Sequence, residues 1–405
     1  MTGSRRLLTI NGMVFLAVGF MGAVIGPALP ELARNTSSTL GEAGAIFTAL
    51  FAGSLPTQIA GGQLIERFGH KRVAVIGMLV MAAGLVGVSL SHSLPVALLF
   101  MALAGLGDGA VIISVNVLIA VAFSSRSVSA LNLLNVFYGV GAISGPLLVG
   151  LFLGSIGAAL PALWVVALFL SALVPMVAGL KLPYGAREPV TAGADRLHVG
   201  SIYRSPLLWI LSASMLVYVG LEIGTGGWIT TYMVRTSGIH ADLAALVASS
   251  FWLALTTGRL VAAYFGRKSD ARTVLLVAVT GAAASGSLLA LVTGNTLLTL
   301  LAVPLLGFSL APVYPTLLAI TTGTFSAVSG DESKAASVVI SCGSAGGMLL
   351  PWVQGLILEG VGTGAAAFFA AGLALTLLTL YGAYRLLERG ANQAAAAALG
   401  GEVTG

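Results

Sequence analysis

The stretch GGQLIERFGHKR, residues 61–72, is a charged segment between two long apolar segments. A weaker copy, GRLVAAYFGRK, lies at residues 258–268 and again follows an apolar segment. Because a charged hinge recurs at the corresponding point of two apolar arrays, the sequence predicts a chain made of two related halves.

Composition restricts the chain to one class of protein. Hydrophobic residues make up 57% of the 405 residues, charged residues make up 8%, and the mean hydropathy is +1.01. A water-soluble chain carries about a quarter charged residues, whereas apolar stretches of about 20 residues follow one another here. The pattern predicts an all-α membrane protein. Its basic residues lie in short loops between spans, so no nucleic-acid partner is expected.

Charged and turn-forming clusters divide the apolar sequence into twelve predicted spans. The first six are 8–32, 42–66, 72–91, 94–123, 127–154 and 158–181, and the second six are 206–234, 241–265, 271–293, 296–324, 333–359 and 363–387. They define an N-terminal half at 1–182 and a C-terminal half at 206–389. Residues 183–205 are the predicted linker, and 390–405 are predicted to be a disordered tail.

The basic residues favour one orientation in the membrane. With the N-terminus inside, 16 of the 19 Lys and Arg residues fall on the inner side, as expected for cytoplasmic loops. Arg34 and Arg235 fall outside, and Arg259, near the inner end of span eight, is interpreted as structural. We therefore expect cytoplasmic termini and a cytoplasmic linker, in a multi-pass protein of the plasma (inner) membrane. The first apolar stretch has no A-x-A-like cleavage site and is expected to be a span.

The charged loop resembles the loop signature of the major facilitator superfamily, G-x-L-x-D-R-x-G-x-K-R between spans two and three. Glu66 replaces the aspartate and keeps its charge. The resemblance implies twelve helices in two pseudo-symmetric six-helix halves, with this loop as a gate latch. The alternative is that the glycines serve only a tight turn or close helix packing. The matching positions are Gly62, Glu66, Arg67, Gly69, Lys71 and Arg72.

Three further segments carry a narrower resemblance. They are YVGLEIGTGGWITTY at 218–232, FSLAPVYPTLLAI at 308–320 and GGMLLPWVQG at 346–355. They resemble the fucose–proton symporter branch and the related sodium-dependent glucose transporters, which implies a sugar substrate and H⁺ or Na⁺ as the coupling ion. The first span has no carboxylate, unlike that of the fucose symporter, so fucose itself is not expected.

Two acidic residues are the candidates for ion coupling. Asp108 lies about 14 residues into span four and Glu222 about 16 into span seven, near the bilayer midplane at about 1.5 Å per residue. A charge at that depth is costly and indicates a cavity or a partner. The superfamily resemblance implies that both face a central cavity. Alternatively, Asp108 accepts backbone hydrogen bonds and Glu222 belongs to a buried pair. The glycines in 224–227 predict an unwound segment after Glu222.

Amide and aromatic side chains in the cavity-lining spans are the candidates for binding a polar solute. They are Asn116, Trp228, Tyr232, Tyr314, Gln354, Trp352 and Gln58. Asn116 follows Asp108 by two helical turns and shares its face. The alternatives are anchoring at the lipid interface for Trp and Tyr and helix–helix hydrogen bonding for Gln58. Pro304, Pro312, Pro315 and Pro351 are expected to bend their helices.

No residue pattern predicts an enzyme or an ATP-driven pump. The four histidines lie in or near separate loops, and no phosphate-binding loop precedes a helix. Cys342 has no partner for a disulfide or a metal site, so no cofactor is expected besides the coupling ion.

Three functional hypotheses remain. The favoured one is a sugar transporter coupled to H⁺ or Na⁺ that works by alternating access of the two halves. The alternatives are a proton-coupled exporter of drugs or metabolites and a non-transporting sensor or scaffold. The expected partners are a small solute and the lipid bilayer, and the chain is expected to be a monomer.

Overall fold

Every regular element is a helix in the residues that the computed structural model describes, which are 3–123, 127–180, 202–265, 269–328 and 332–401. The first eight α-helices are α1 Gly3–Asn35, α2 Leu40–Ala43, α3 Ala45–Ile59, α4 Gly61–Phe68, α5 His70–Ser89, α6 Leu94–Ala122, α7 Ser127–Ile156 and α8 Pro161–Ala178. After a short 3₁₀ helix, Ile202–Arg204, follow α9 Pro206–Ser237, α10 Ala241–Phe265, α11 Ala271–Leu291, α12 Thr296–Leu310, α13 Val313–Val328, α14 Glu332–Gly360 and α15 Thr363–Gly401. Most of the predicted linker lies outside the described residues.

Most of these helices are long and apolar enough to cross a membrane. Within the described ranges, eleven helices are long and apolar enough to span a bilayer. The number is twelve if the bent pair Leu40–Ile59 and Gly61–Phe68 forms one span. Helices suit this environment because they pair their backbone groups internally, where no water is available. The predicted all-α class with twelve spans is confirmed.

Two of the spans are interrupted. The second span was predicted as one segment, 42–66, but the chain bends by 58° between α3 and α4. The bend falls beside the glycine pair 61–62, a common cause of kinks. The tenth span breaks between α12 and α13 at Pro312, where the proline pattern predicted a bend.

Two expectations about chain continuity differ from the structure. Helix α9 runs unbroken through residues 224–227, so the predicted unwound segment is not formed. The glycines there give room to neighbouring side chains instead, and tertiary packing offsets their low helix propensity. Helix α15 continues to Gly401 through most of the predicted disordered tail, where the alanine run 394–398 strongly favours helix.

Each half of the chain has its own apolar core. The first core is built almost entirely from α1–α8, and the second almost entirely from α9–α15. Tyr138 of α7 and Ile223 of α9 pack against both cores. These two residues therefore mark the boundary between the halves.

The halves meet along α1 and α9, along α2, α3 and α14, and along α7 and α10. We call the end of the bundle that carries Lys71, Arg72 and Arg272 the basic end, and the other the opposite end. Toward the basic end, α4 packs mainly on α3, α5 and α6, and α13 mainly on α9, α11 and α14, all within their own halves. Glycine brings the halves together at the opposite end, where a Cβ on Gly26 would overlap the backbone of Gly227.

Trp228 of α9 fills the gap between the halves at the opposite end. Its side chain is 1% exposed, and its indole Nε1 donates to the carbonyl oxygen of Pro351 at 2.7 Å. The ring meets Phe47 edge-on, with 6.2 Å between centroids. It also packs on Gly44 and Gly355, where a Cβ would overlap it. Trp228 is therefore an aromatic wedge that seals this end.

Removing the wedge should open the opposite end more often. We expect Trp228→Ala to raise the rate at which an impermeant maleimide, added from the opposite side, labels Ile223→Cys in a Cys342→Ser background. Each 1.4 kcal/mol of lost closing contact multiplies the open population by about ten, so the rate should rise about tenfold or more. Trp209→Ala is the matched control, because Trp209 lies on the same helix but is 50% exposed. Equal labelling in both variants would contradict the wedge.

Candidate functional site

An ion pair lies in the middle of the bundle. Arg259 Nη2 of α10 donates to Glu222 Oε1 of α9 at 3.2 Å. Glu222 is 7% exposed and lies halfway along the 32 residues of α9. The Arg259 side chain reaches this depth yet keeps 24% of its surface accessible. The pair has no net charge.

Three tyrosines surround this pair. Tyr218 precedes Glu222 by one helical turn, is fully buried, and its hydroxyl lies beside the charged groups of Glu222 and Arg259. Tyr314 packs beside Tyr218, with 6.2 Å between ring centroids. Tyr138 comes from the other half and lies within electrostatic range of Glu222, Arg259 and also Asp108. The centre of the bundle thus combines a neutral ion pair with aromatic faces and hydroxyl groups.

Asp108 lies on α6 in the first half, and its side chain faces α3. It is 8% exposed, and its Oδ2 accepts a hydrogen bond from Ser54 Oγ at 3.1 Å. Ser54 Oγ in turn accepts from Gln58 Nε2 at 2.8 Å. Gln58, a candidate for substrate binding, therefore bonds within its own helix α3 and takes part in a chain that ends at Asp108.

The other amide and tryptophan candidates lie in different surroundings. Gln354 is 6% exposed, its Oε1 faces Gly224, and this oxygen accepts no hydrogen bond from the described part of the chain. Trp352 is half-buried on the same helix, and Asn116 is half-buried on α6. Gln354 is thus an unpartnered acceptor beside the segment of α9 that follows Glu222.

Trp228 and Tyr232, also candidates for substrate binding, lie toward the opposite end of α9. Trp228 forms the wedge described above. The Tyr232 hydroxyl lies 3.1 Å from Thr293 Oγ1, inside the second half. Neither aromatic ring is grouped with the ion pair in this conformation, whereas Tyr314 is.

The charged segment at 61–72, expected to be a loop, is mostly helical: it comprises α4, Gly69 and the first residues of α5 at the basic end. Gly69 has φ +78°, a backbone conformation that favours glycine, and a Cβ on Gly62 would meet open space. Lys71 Nζ donates to the carbonyl oxygens of Ala178 and Leu180 at 2.8 and 3.0 Å, and so ties the start of α5 to the end of α8. Arg67 lies over the ring of Phe68, whereas Glu66 and Arg72 are exposed and form no ion pair with the described residues.

Sequence reasoning missed several of these partners. The sequence pattern favours a structural role for Arg259, although an arginine inside an apolar span is itself a signal for a buried carboxylate partner. Tyr218 was detectable from its spacing of four residues from Glu222. Ser54 and Tyr138 gave no signal, because their role depends on how α3 and α7 are rotated. Within the described ranges, no three His, Cys, Asp or Glu side chains group as a metal site.

Breaking the ion pair should destabilise the protein. Removing one partner of a buried pair costs about 3–5 kcal/mol. Since Arg259 is 24% accessible, we expect Glu222→Gln to lower the free energy of unfolding by about 2 kcal/mol. The double variant Glu222→Gln/Arg259→Gln should recover most of this loss, because it leaves no unpaired charge. Chemical unfolding in detergent measures both, and additive losses in the double variant would contradict the coupling.

The chain is similar in sequence to one family model and to several known proteins. The Major Facilitator Superfamily profile matches residues 12–330. Sodium-dependent glucose transporter 1 of Homo sapiens is 23% identical over 377 residues, covering 85% of this chain and 72% of that protein. The glucose/mannose transporter GlcP of Bacillus subtilis is 22% identical over 352 residues, covering 84% and 85%. Protein TsgA of Shigella flexneri is 25% identical over 384 residues, covering 92% and 93%.

Solved structures give the same fold. The crystal structure of a mutant of the nucleoside transporter NupG superposes with a TM-score of 0.79 at 15% identity, and covers 94% of this chain and 99% of that one. The profile match extends over most of the chain. The protein is therefore a multi-pass membrane transporter, not an enzyme, and it belongs to the Major Facilitator Superfamily.

Proposed function

We propose that this protein is a secondary active transporter for a small polar solute, with a sugar as the first candidate, driven by H⁺ or Na⁺. The observation that carries the proposal is the ion pair Glu222–Arg259 beside the boundary between the halves. Charged groups at this depth cost free energy and mark solute or ion pathways. Transporters of this architecture bind their solutes near the midplane between the halves.

A sugar suits the chemistry around the pair. The pair carries no net charge, so it does not demand an ionised solute. The ring of Tyr314 and the guanidinium of Arg259 offer a face and hydrogen-bond donors to a hydroxyl-rich ring. Gln354 and Asn116 are further candidates for solute contact. The human and Bacillus relatives, both named as glucose transporters, support the same class.

Alternating access is the proposed mechanism. Residues 1–182 and 206–389 would rock against each other around the central site, with Glu222 and Asp108 as the acidic candidates for coupling. The wedge at Trp228 closes the opposite end in this conformation. We infer that the central site is then reached from the basic end.

The distribution of basic residues supports one orientation of the protein in the membrane. We propose that the basic end faces the cytoplasm, because basic residues concentrate on that side of membrane proteins. Both termini and the linker would then be cytoplasmic, in the inner membrane of the cell. The working unit would be a monomer in the lipid bilayer, with no nucleic-acid partner and no cofactor besides the coupling ion.

Uptake into proteoliposomes tests this function. We expect saturable uptake of labelled glucose or of a related neutral sugar, accelerated by an inward gradient of H⁺ or Na⁺ and abolished when the gradient is collapsed. Empty liposomes and the purified protein without a gradient are the controls. A labelled nucleoside and a lipophilic cation should be tested alongside. Uptake or exchange of the lipophilic cation alone would contradict the sugar assignment and favour an exporter.

A further inference from the structure

The two buried acidic residues differ in how their charge is compensated. Glu222 has the guanidinium of Arg259 at 3.2 Å. Asp108 forms no ion pair with any described residue, and its one hydrogen-bond donor there is the neutral hydroxyl of Ser54. The central region thus holds two carboxylates and one guanidinium. When both carboxylates are ionised, one negative charge is left over, and it lies at Asp108.

Among the described residues, the groups that face Asp108 supply no positive charge. Helix α3 contributes Ser54, Thr57 and Gln58, which are all neutral. Helix α5 packs on the other side of α6 with apolar residues such as Met81. From α7, Tyr138 lies within electrostatic range. An ionised carboxylate that is buried without a counter-charge is strongly unfavourable, so a bound cation would stabilise this place.

Oxygen atoms of α3 lie close to α6 beside Asp108. Thr57 Oγ1 donates to the carbonyl oxygens of Ser54 and Leu106 at 3.0 and 3.1 Å. A Cβ on Gly109 would collide with Ser54 O, Thr57 Oγ1 and Ser54 Oγ. The missing side chain at this glycine therefore lets the oxygens of α3 approach the helix that carries Asp108. Hydroxyl, carbonyl and carboxylate oxygens are the ligands of hard cations.

We propose that the coupling cation binds at Asp108, between α3 and α6, and not at the Glu222–Arg259 pair. This assignment rests on the proposed function and names the place of the cation within it. Cation binding there would affect the contact between the halves, because α3 also contacts α14. Helix α3 carries Ser54 and, six residues earlier, Thr48, whose hydroxyl donates to Met348 O of α14 at 2.6 Å. Helix α3 therefore connects Asp108 with a contact to the second half, and a change of charge at Asp108 would act on that contact through this helix.

Thermal unfolding of the purified full-length protein tests the assignment without any solute. The melting temperature is measured in NaCl and in choline chloride at equal ionic strength, each at acid and at alkaline pH. Since a ligand stabilises the state that it binds, the wild type should melt several degrees higher with the coupling cation present. Asp108→Asn should lose this response, because its neutral amide leaves no charge to compensate. Glu222→Gln/Arg259→Gln should keep the response.

Ser54→Ala separates the two cations and provides a second test if Asp108→Asn does not fold. If the cation is a proton, losing the hydroxyl donor destabilises the ionised form of the Asp108 side chain. The change in melting temperature should then occur at higher pH. If the cation is Na⁺, losing an oxygen ligand should move it to higher NaCl concentration. The assignment would be overturned if the wild type shows no cation response or if Asp108→Asn keeps the full response. It would also be overturned if Ser54→Ala responds like the wild type, or if the double variant loses the response. Failure of sugar uptake, by contrast, would overturn the proposed substrate and leave this cation response in place.

Discussion

This structure depends on the free-energy cost of placing polar groups in the hydrocarbon region of the bilayer. Because no water is available there, each span is a helix that satisfies its own backbone, and helices must approach closely to gain packing energy. Glycine allows that approach at the contact of Gly26 with Gly227 and under the ring of Trp228. The same cost explains why the central arginine, Arg259, contacts a carboxylate.

The sites of close packing and the polar centre together suggest how one chain performs transport. The seal at the opposite end depends on an aromatic ring between glycine surfaces, a contact that is lost as a unit when the halves separate. The polar groups lie nearer the middle and come from both halves, with Asp108 on one side and Glu222 on the other. A movement that breaks the seal must therefore also change the surroundings of the charges.

The sequence was sufficient for the class, the number of spans and the depth of the acidic residues, because these depend on hydropathy and helix length alone. It was insufficient where packing against neighbouring helices determines helix continuity and side-chain pairing. The glycines after Glu222 predicted unwinding, yet α9 is continuous because Phe47 and Trp252 pack into the space they leave. The pairing of Arg259 with Glu222 and of Ser54 with Asp108 depends on helix rotation, which periodicity in a nearly uniform apolar span does not specify.

The most direct test of the account is a pair of distances between the halves, measured by pulsed electron paramagnetic resonance in lipid. One pair of spin labels replaces Asn35 and Val361 at the opposite end, and the other replaces Gln63 and Ser326 at the basic end; all four side chains are exposed. As the coupling cation and the solute are varied, the account predicts that one distance lengthens as the other shortens. Distances that change together, or a basic end that never closes, would contradict a rocking transporter.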